Sequence, residues 1–213
     1  MERERGSKVL AIVALCVGVV GLSLGFAAFS SNLVIKSSAT VEASAGEFSV
    51  VWDGTSITSS VVGTAVAGSP SVSTTQITQG DDTVDASTIG NLSAGLKAPG
   101  DSVTYTFNAK NAGKYIAYLT DVNFLTPEKT CTAVTGTDQD LVDAACENIS
   151  LTLKVGTETI TSATSSYTNQ IAIGGTTPVE VTIAYAAVEG QTLADGDFNV
   201  SFGDIQFVYS SAR

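Results

Sequence analysis

The sequence predicts an all-β fold: an antiparallel β-sandwich, jelly-roll-like, with one short helix and an N-terminal signal or transmembrane helix. Two observations predict the β-sandwich. Four stretches alternate apolar and polar residues with period two, as half-buried strands do. Gly and the four prolines Pro70, Pro99, Pro127 and Pro178 fall near the ends of these and other Ser/Thr/Val-rich stretches rather than at their centres. The signal follows from a third observation, one long apolar run, Val9 to Phe29, behind the basic residues Arg3, Arg5 and Lys8.

That run has a basic start, an apolar middle and a small-residue exit, Gly25-Phe26-Ala27 followed by Ala28. Cleavage between Ala27 and Ala28 is expected, which makes residues 1–27 a signal peptide and places the mature protein outside the cell, secreted or at the cell surface. The alternative is an uncut anchor, because about 20 apolar residues span a bilayer. In either case the membrane is met only through this segment. The remaining 186 of the 213 residues suit one domain with a real core.

Residues 28–40 come next and open as an extended strand with no hairpin partner beside it. Phe29, Leu33 and Ile35 share one face; Ser30, Asn32 and Lys36 share the other, with Val34 the apolar exception. Such a strand either pairs within its own subunit, as composition alone favours, or complements a neighbour's sheet, where main-chain hydrogen bonds supply affinity and alternate side chains fill pockets.

The sandwich is expected over residues 41–213. Its clearest strands are Ser102 to Lys110, with Val103, Tyr105, Phe107 and Ala109 on the apolar face; Ile149 to Val155; and Val179 to Tyr185. The last strand changes phase. Phe198, Val200 and Phe202 are even and Ile205, Phe207 and Tyr209 odd, which predicts a β-bulge at Gly203-Asp204. Weaker strands are expected at Glu47 to Trp52, Ser56 to Ala67, Ser71 to Thr78, Tyr115 to Phe124 and Tyr167 to Ile173. About ten strands in one domain point to a sandwich. One short helix, Asp138 to Cys146 with Thr137 as its cap, is expected between them.

Cys16 belongs to the signal, which leaves Cys131 and Cys146 as a pair, read as a disulfide in an oxidising compartment. A zinc site is disfavoured, since two thiols without any His need carboxylates to complete four ligands. Without His there is no H-E-x-x-H site, no Ser-His-Asp triad and no Cys-His dyad, and no local signature marks another catalytic constellation. The expectation is a protein with no enzymatic activity, no metal and no cofactor. Losing Glu2, Glu4, Arg3, Arg5 and Lys8 with the signal leaves 19 acidic and 7 basic residues, a net charge of −12. The basic residues do not cluster, which argues against nucleic acid and against docking on anionic lipid.

Two further patterns have plain readings. Asp195-Gly196-Asp197-Phe198-Asn199 spaces oxygens as a calcium loop begins, but Val200 stands where Gly is required and no Glu closes the loop, so a hairpin turn is expected. Asn91, Asn148 and Asn199 each begin an N-x-S sequon, a match that arises readily by chance in a Ser/Thr-rich chain.

The segment GFAAFSSNLVIKSSATVEASAGEFSV and the later NLSAGLKAPGDSVTYTFNAKNAGKYIAYLTDVNF resemble the TasA/camelysin family of exported matrix and surface-fibre proteins, to which archaeal bundling pilins are related. The matching motifs are the exit Phe26-Ala27-Ala28-Phe29-Ser30, the turn Leu96-Lys97-Ala98-Pro99-Gly100-Asp101, the strand after it and the turn Asn111-Ala112-Gly113. The stretch from Thr55 to Ser87 does not match, and Ala98 and the cysteine pair depart from the pattern. The resemblance implies processing by a signal peptidase of the SipW type. It also implies a structural fibre subunit whose partners are copies of itself and an anchoring or accessory subunit, joined by the donor-strand residues Phe29, Leu33, Val34 and Ile35. A monomeric, anchored surface module of the same fold is the second reading, and a camelysin-like protease the third.

Overall fold

The computed structural model describes residues 47–53, 57–124, 129–161, 164–191 and 193–212. The expected signal, the cleavage residues Ala27 and Ala28 and the donor-strand residues Phe29, Leu33, Val34 and Ile35 lie outside them. Among the described residues no helix is long and apolar enough to cross a membrane.

The described chain is an all-β, antiparallel sandwich with one short helix. In chain order its strands are β1 (Val50–Trp52), β2 (Thr58–Val62), β3 (Val66–Ala67), β4 (Ser71–Gln79), β5 (Asp82–Gly90), β6 (Ser93–Leu96), β7 (Ser102–Asn111), β8 (Ala117–Phe124) and β9 (Lys129–Ala133). Helix α1 (Gln139–Cys146) follows, then β10 (Ile149–Val155), β11 (Glu158–Ile160), β12 (Gln170–Ile171), β13 (Thr176–Tyr185), β14 (Phe198–Phe202) and β15 (Ile205–Ser210). A six-stranded sheet runs β1-β7-β13-β10-β11 with β2 also on β7; a five-stranded sheet runs β12-β8-β15-β5-β4; and a four-stranded sheet runs β3-β6-β14-β9.

The period-two stretches became strands because each has one face to bury. In β7, Val103, Tyr105, Phe107 and Ala109 are at most 1% exposed, and in β13 Val179, Val181 and Ile183 are fully buried. The two strands pair from Ser102↔Ala184 to Lys110↔Thr176, which sets those rows side by side on one inner face. Burying a Val, Ile or Phe side chain stabilises by about 1.5–3 kcal/mol, so a one-residue slip, which would turn the whole row outward, is strongly opposed.

The expected bulge at Gly203-Asp204 is not present. Those two residues carry the chain from β14, in the four-stranded sheet, to β15, in the five-stranded sheet. The phase change has the purpose assigned to it, keeping Phe198 and Val200 and then Ile205, Phe207 and Tyr209 buried, but the strand changes sheets to do so. A register irregularity occurs instead at Val208/Tyr209 against β8, where Thr120 is the extra residue and its hydroxyl donates to the Val208 carbonyl (3.1 Å). The expected strand Ser56 to Ala67 likewise divides. Gly63, at φ +74°, turns the chain so that β2 joins the six-stranded and β3 the four-stranded sheet. A side chain there would both strain the backbone and collide with the Asp101 carboxylate.

Strand β1 ties the layers together. It pairs with the end of β7, Val50↔Asn111 to Trp52↔Ala109. Its Trp52 ring meets Phe107 at 5.9 Å and Phe207 of the five-stranded sheet at 5.6 Å, edge-on in both cases, while its indole N–H donates to the Ser73 carbonyl of β4 (3.2 Å). The Val50 N–H donates to the carboxylate of Asp85 on β5, which Gln76 also approaches. Asp85 is 3% exposed, and burial pushes its pKa up against those two hydrogen bonds.

A raised carboxylate pKa means that the fold disfavours the ionised form; the penalty is present above the folded pKa and relieved as pH falls through it. Asp85→Asn keeps an acceptor for Val50 and should be as stable as the parent or more so at pH 7, with the advantage shrinking as pH is lowered into the carboxylate range. Asp85→Ala orphans the Val50 N–H and should lose about 1–3 kcal/mol at neutral pH. Urea unfolding of both variants at pH 7 and 4.5 checks the order.

Candidate functional site

The residues singled out in the sequence fall into three places in the described domain. The first is the base of α1. Cys131 on β9 and Cys146 at the last turn of α1 stand at disulfide distance, with sulfurs 1.95 Å and Cα atoms 6.1 Å apart. The helix is capped by Asp138, not by the expected Thr137. The Asp138 carboxylate accepts from the Asp140 N–H (2.9 Å), satisfying one of the free N–H groups of the first turn. Thr137 instead donates its hydroxyl to the Asp197 carbonyl (2.9 Å), and the Asp195 carboxylate accepts from the Asp138 N–H (2.9 Å). Asp195-Gly196 is therefore not a hairpin turn, since β13 before it and β14 after it lie in different sheets; it is a bend that holds the start of α1.

Sequence reasoning missed two other residues of this junction. Gln139 accepts from the Ala133 N–H (2.9 Å) and donates to the Cys131 carbonyl (3.1 Å), stitching the first helical turn to β9. Lys129 donates its ammonium to the carbonyls of Cys146 (2.7 Å) and Ile149 (2.9 Å) at the helix end, where a cation suits the helix dipole. Burial lowers the Lys129 pKa, against the pull of Glu147. Lys129 sits at the start of Lys129-Thr130-Cys131-Thr132-Ala133, whose weak alternation was the only available signal.

The second place is the turn Lys97-Ala98-Pro99-Gly100-Asp101. Asp101, 3% exposed, accepts at Oδ2 from the N–H groups of Lys97 (2.9 Å) and Ala98 (3.1 Å) and from the Thr64 hydroxyl (3.0 Å), and at Oδ1 from the Thr64 N–H (2.8 Å). Burial opposes the charge, but these four hydrogen bonds outweigh it and hold the pKa below the ordinary value. One carboxylate thus closes its own turn and fastens the β2–β3 turn to it.

The third is Asn111-Ala112-Gly113. It is not a tight hairpin; β7 and β8 lie in different sheets, and Asn111 is the buried pin of the crossing. Its side-chain amide donates to the carbonyls of Tyr115 (2.7 Å) and Ile171 (2.9 Å), and its side-chain oxygen accepts from the Gly113 N–H (3.0 Å). The N–H groups of Ala112, Gly113 and Lys114 reach the carbonyls of Ser49 and Glu47, and a Cβ on Gly113 would lie 2.6 Å from the Ser49 nitrogen. The entry of the described chain is thereby held against this turn, reinforced by the Lys114–Glu47 ion pair at 2.9 Å.

Of the three sequons, Asn91 is exposed, at φ +54° between β5 and β6; Asn199 is exposed on β14; and Asn148 is half-buried beside α1. Asn91 also donates to the Ser71 hydroxyl (2.9 Å). Among the described residues no three His, Cys, Asp or Glu side chains converge as metal ligands. No protein-family model, curated protein or solved structure matches this chain.

Two outcomes test these junctions. Asp101→Ala should cost about 3 kcal/mol at neutral pH, because it orphans three N–H groups. The parent's share of that stability, present above the unfolded carboxylate pKa of about 3.9, should disappear as pH falls through the lower folded value; thermal melts from pH 7 to pH 2 read both. With the cysteines bonded, the 15-residue separation corresponds to about 3 kcal/mol of loop entropy, so Cys131→Ser with Cys146→Ser should lower the unfolding midpoint by several degrees. Non-reducing peptide mapping of the purified protein should recover one intramolecular bridge; free thiols would contradict it.

Proposed function

We propose that this chain is an exported structural subunit of an extracellular or cell-surface fibre, of the TasA/camelysin kind, and that it polymerises by donating its N-terminal strand to a neighbour. The observation that carries the reading is the segment Ala28 to Lys36: an alternating apolar strand directly behind an export signal, with no hairpin partner next to it. Among the described residues the core of the sandwich runs from Phe48 to Tyr209. An acidic surface with few basic residues suits life outside the cell, and a disulfide between Cys131 and Cys146 suits the same compartment. The role is structural rather than catalytic: the chain has no His, and the buried Asp85 and Asp101 are spent on strand and turn hydrogen bonds.

Each of Phe29, Leu33 and Ile35 buried in a neighbour contributes about 1.5–3 kcal/mol before the ordering of a free terminus is subtracted. Deleting Ala28 to Lys36, or placing Asp at Leu33 or Ile35, should therefore abolish polymerisation and leave a soluble β-rich subunit, read by electron microscopy and circular dichroism. Mass spectrometry of the secreted form should begin at Ala28. Ordinary filaments from the deleted protein would refute strand donation, and recovery of Cys16 in the surface form would favour the anchored monomeric module.

A further inference from the structure

We infer that β2 is the edge that receives the donated strand, a deepening that rests on the strand-donation reading. β7 pairs with β13 along one edge, while its other edge is shared by β1, beside Asn111 to Ala109, and β2, beside Thr106 to Ser102. The outer edge of β2 has no strand partner among the described residues. All five residues of Thr58–Val62 are exposed, and the patch around them is apolar: Val61 is 50%, Val62 60%, Val66 58% and Ile57 37% exposed. Nothing in β2 blunts the edge, for it has no charge, no proline and no bulge.

The remaining sheet edges among the described residues are poorer receivers. β1 is three residues long and β3 and β12 two, β9 carries Lys129 and β11 carries Glu158. β4 is met at Ser73 by Trp52. The occupant follows from where the described chain starts. The Glu47 carbonyl accepts from the Lys114 N–H and the Ser49 carbonyl from the Ala112 and Gly113 N–H groups at the end of β7, so the described chain starts beside β1, on the edge that β1 and β2 share. Residues 37–46, between the donor segment and the described domain, reach roughly 35 Å when fully extended, a tether that would let Ala28 to Lys36 lie along β2 of an adjacent copy. Backbone pairing would supply the affinity, and Phe29, Leu33 and Ile35, which share one face, would pack on the face of β2 that carries Val61, the face of Val103 and Tyr105 on β7.

Two full-length variants, each processed normally, test the assignment. V61K/V62K retains the donor and alters the receiving edge; L33D/I35D retains the edge and alters the donor. Each alone should stay monomeric, with fibre mass at least tenfold below the parent. An equimolar mixture should give heterodimers by light scattering and nothing longer, since one good donor meets one good edge. If V61K/V62K polymerises like the parent while L33D/I35D does not, donation stands and the β2 assignment is overturned; if L33D/I35D polymerises, donation itself falls; if both stay monomeric and the mixture forms no dimer, β2 is not the receiver. As a control independent of the variants' folding, a synthetic peptide of residues 28–36 bearing a photo-crosslinker, added to the unaltered protein, should label residues 57–62. Labelling confined to other strands overturns the assignment.

Discussion

β7 must satisfy hydrogen bonds along both of its edges over ten residues, and the way it does so governs the layout of the domain. One edge takes β13 along nearly its full length. The other is divided between β1 and β2, two separate short strands, one at each end. β1 also reaches the five-stranded sheet, through Trp52 and through the bond from Val50 to Asp85, and so links the two sheets at that end. β2 makes no comparable crossing and lies exposed. The same strand therefore holds the sandwich together at one end and presents an open edge at the other.

Polar groups hold the crossings, with Asn111 and Asp101 buried and Lys129 half-buried. Asn111 uses both amide hydrogens and its oxygen, Asp101 uses both carboxylate oxygens, and Lys129 occupies two carbonyls at the end of α1. Each acts where the chain leaves one sheet for another or leaves the helix, and a buried polar atom without a partner at such a point would cost about 1–3 kcal/mol. The cysteine pair acts at the same kind of place, joining α1 to β9 beside Gln139.

The class of fold was legible because β7, β10 and β13 bury one face each, and a one-sided strand writes its burial as period-two alternation. β5 was not legible: Val84 to Ser87 are buried on successive positions, Asp85 and Ser87 among them, so both faces are covered and the alternation is lost. β6, β9 and β11 are short, five residues at most, and β11 pairs only with β10 among the described strands. The change of sheet at Gly203-Asp204 looked like a bulge because both events shift the phase by one residue. Asn111 and Asp101 were visible as turn residues, but their partners Ile171 and Thr64 are 60 and 37 residues away, and turn chemistry carries no information about such pairs.

The proposed donation has the N-terminal strand of one subunit completing the sheet of another. Cryo-electron microscopy of the assembled, secreted protein tests it most directly. Residues 28–36 of each subunit should lie extended against a neighbouring copy, with Leu33 and Ile35 buried in that contact. Filaments in which those residues pair within their own subunit, or correctly cleaved protein that remains monomeric at high concentration, would contradict it.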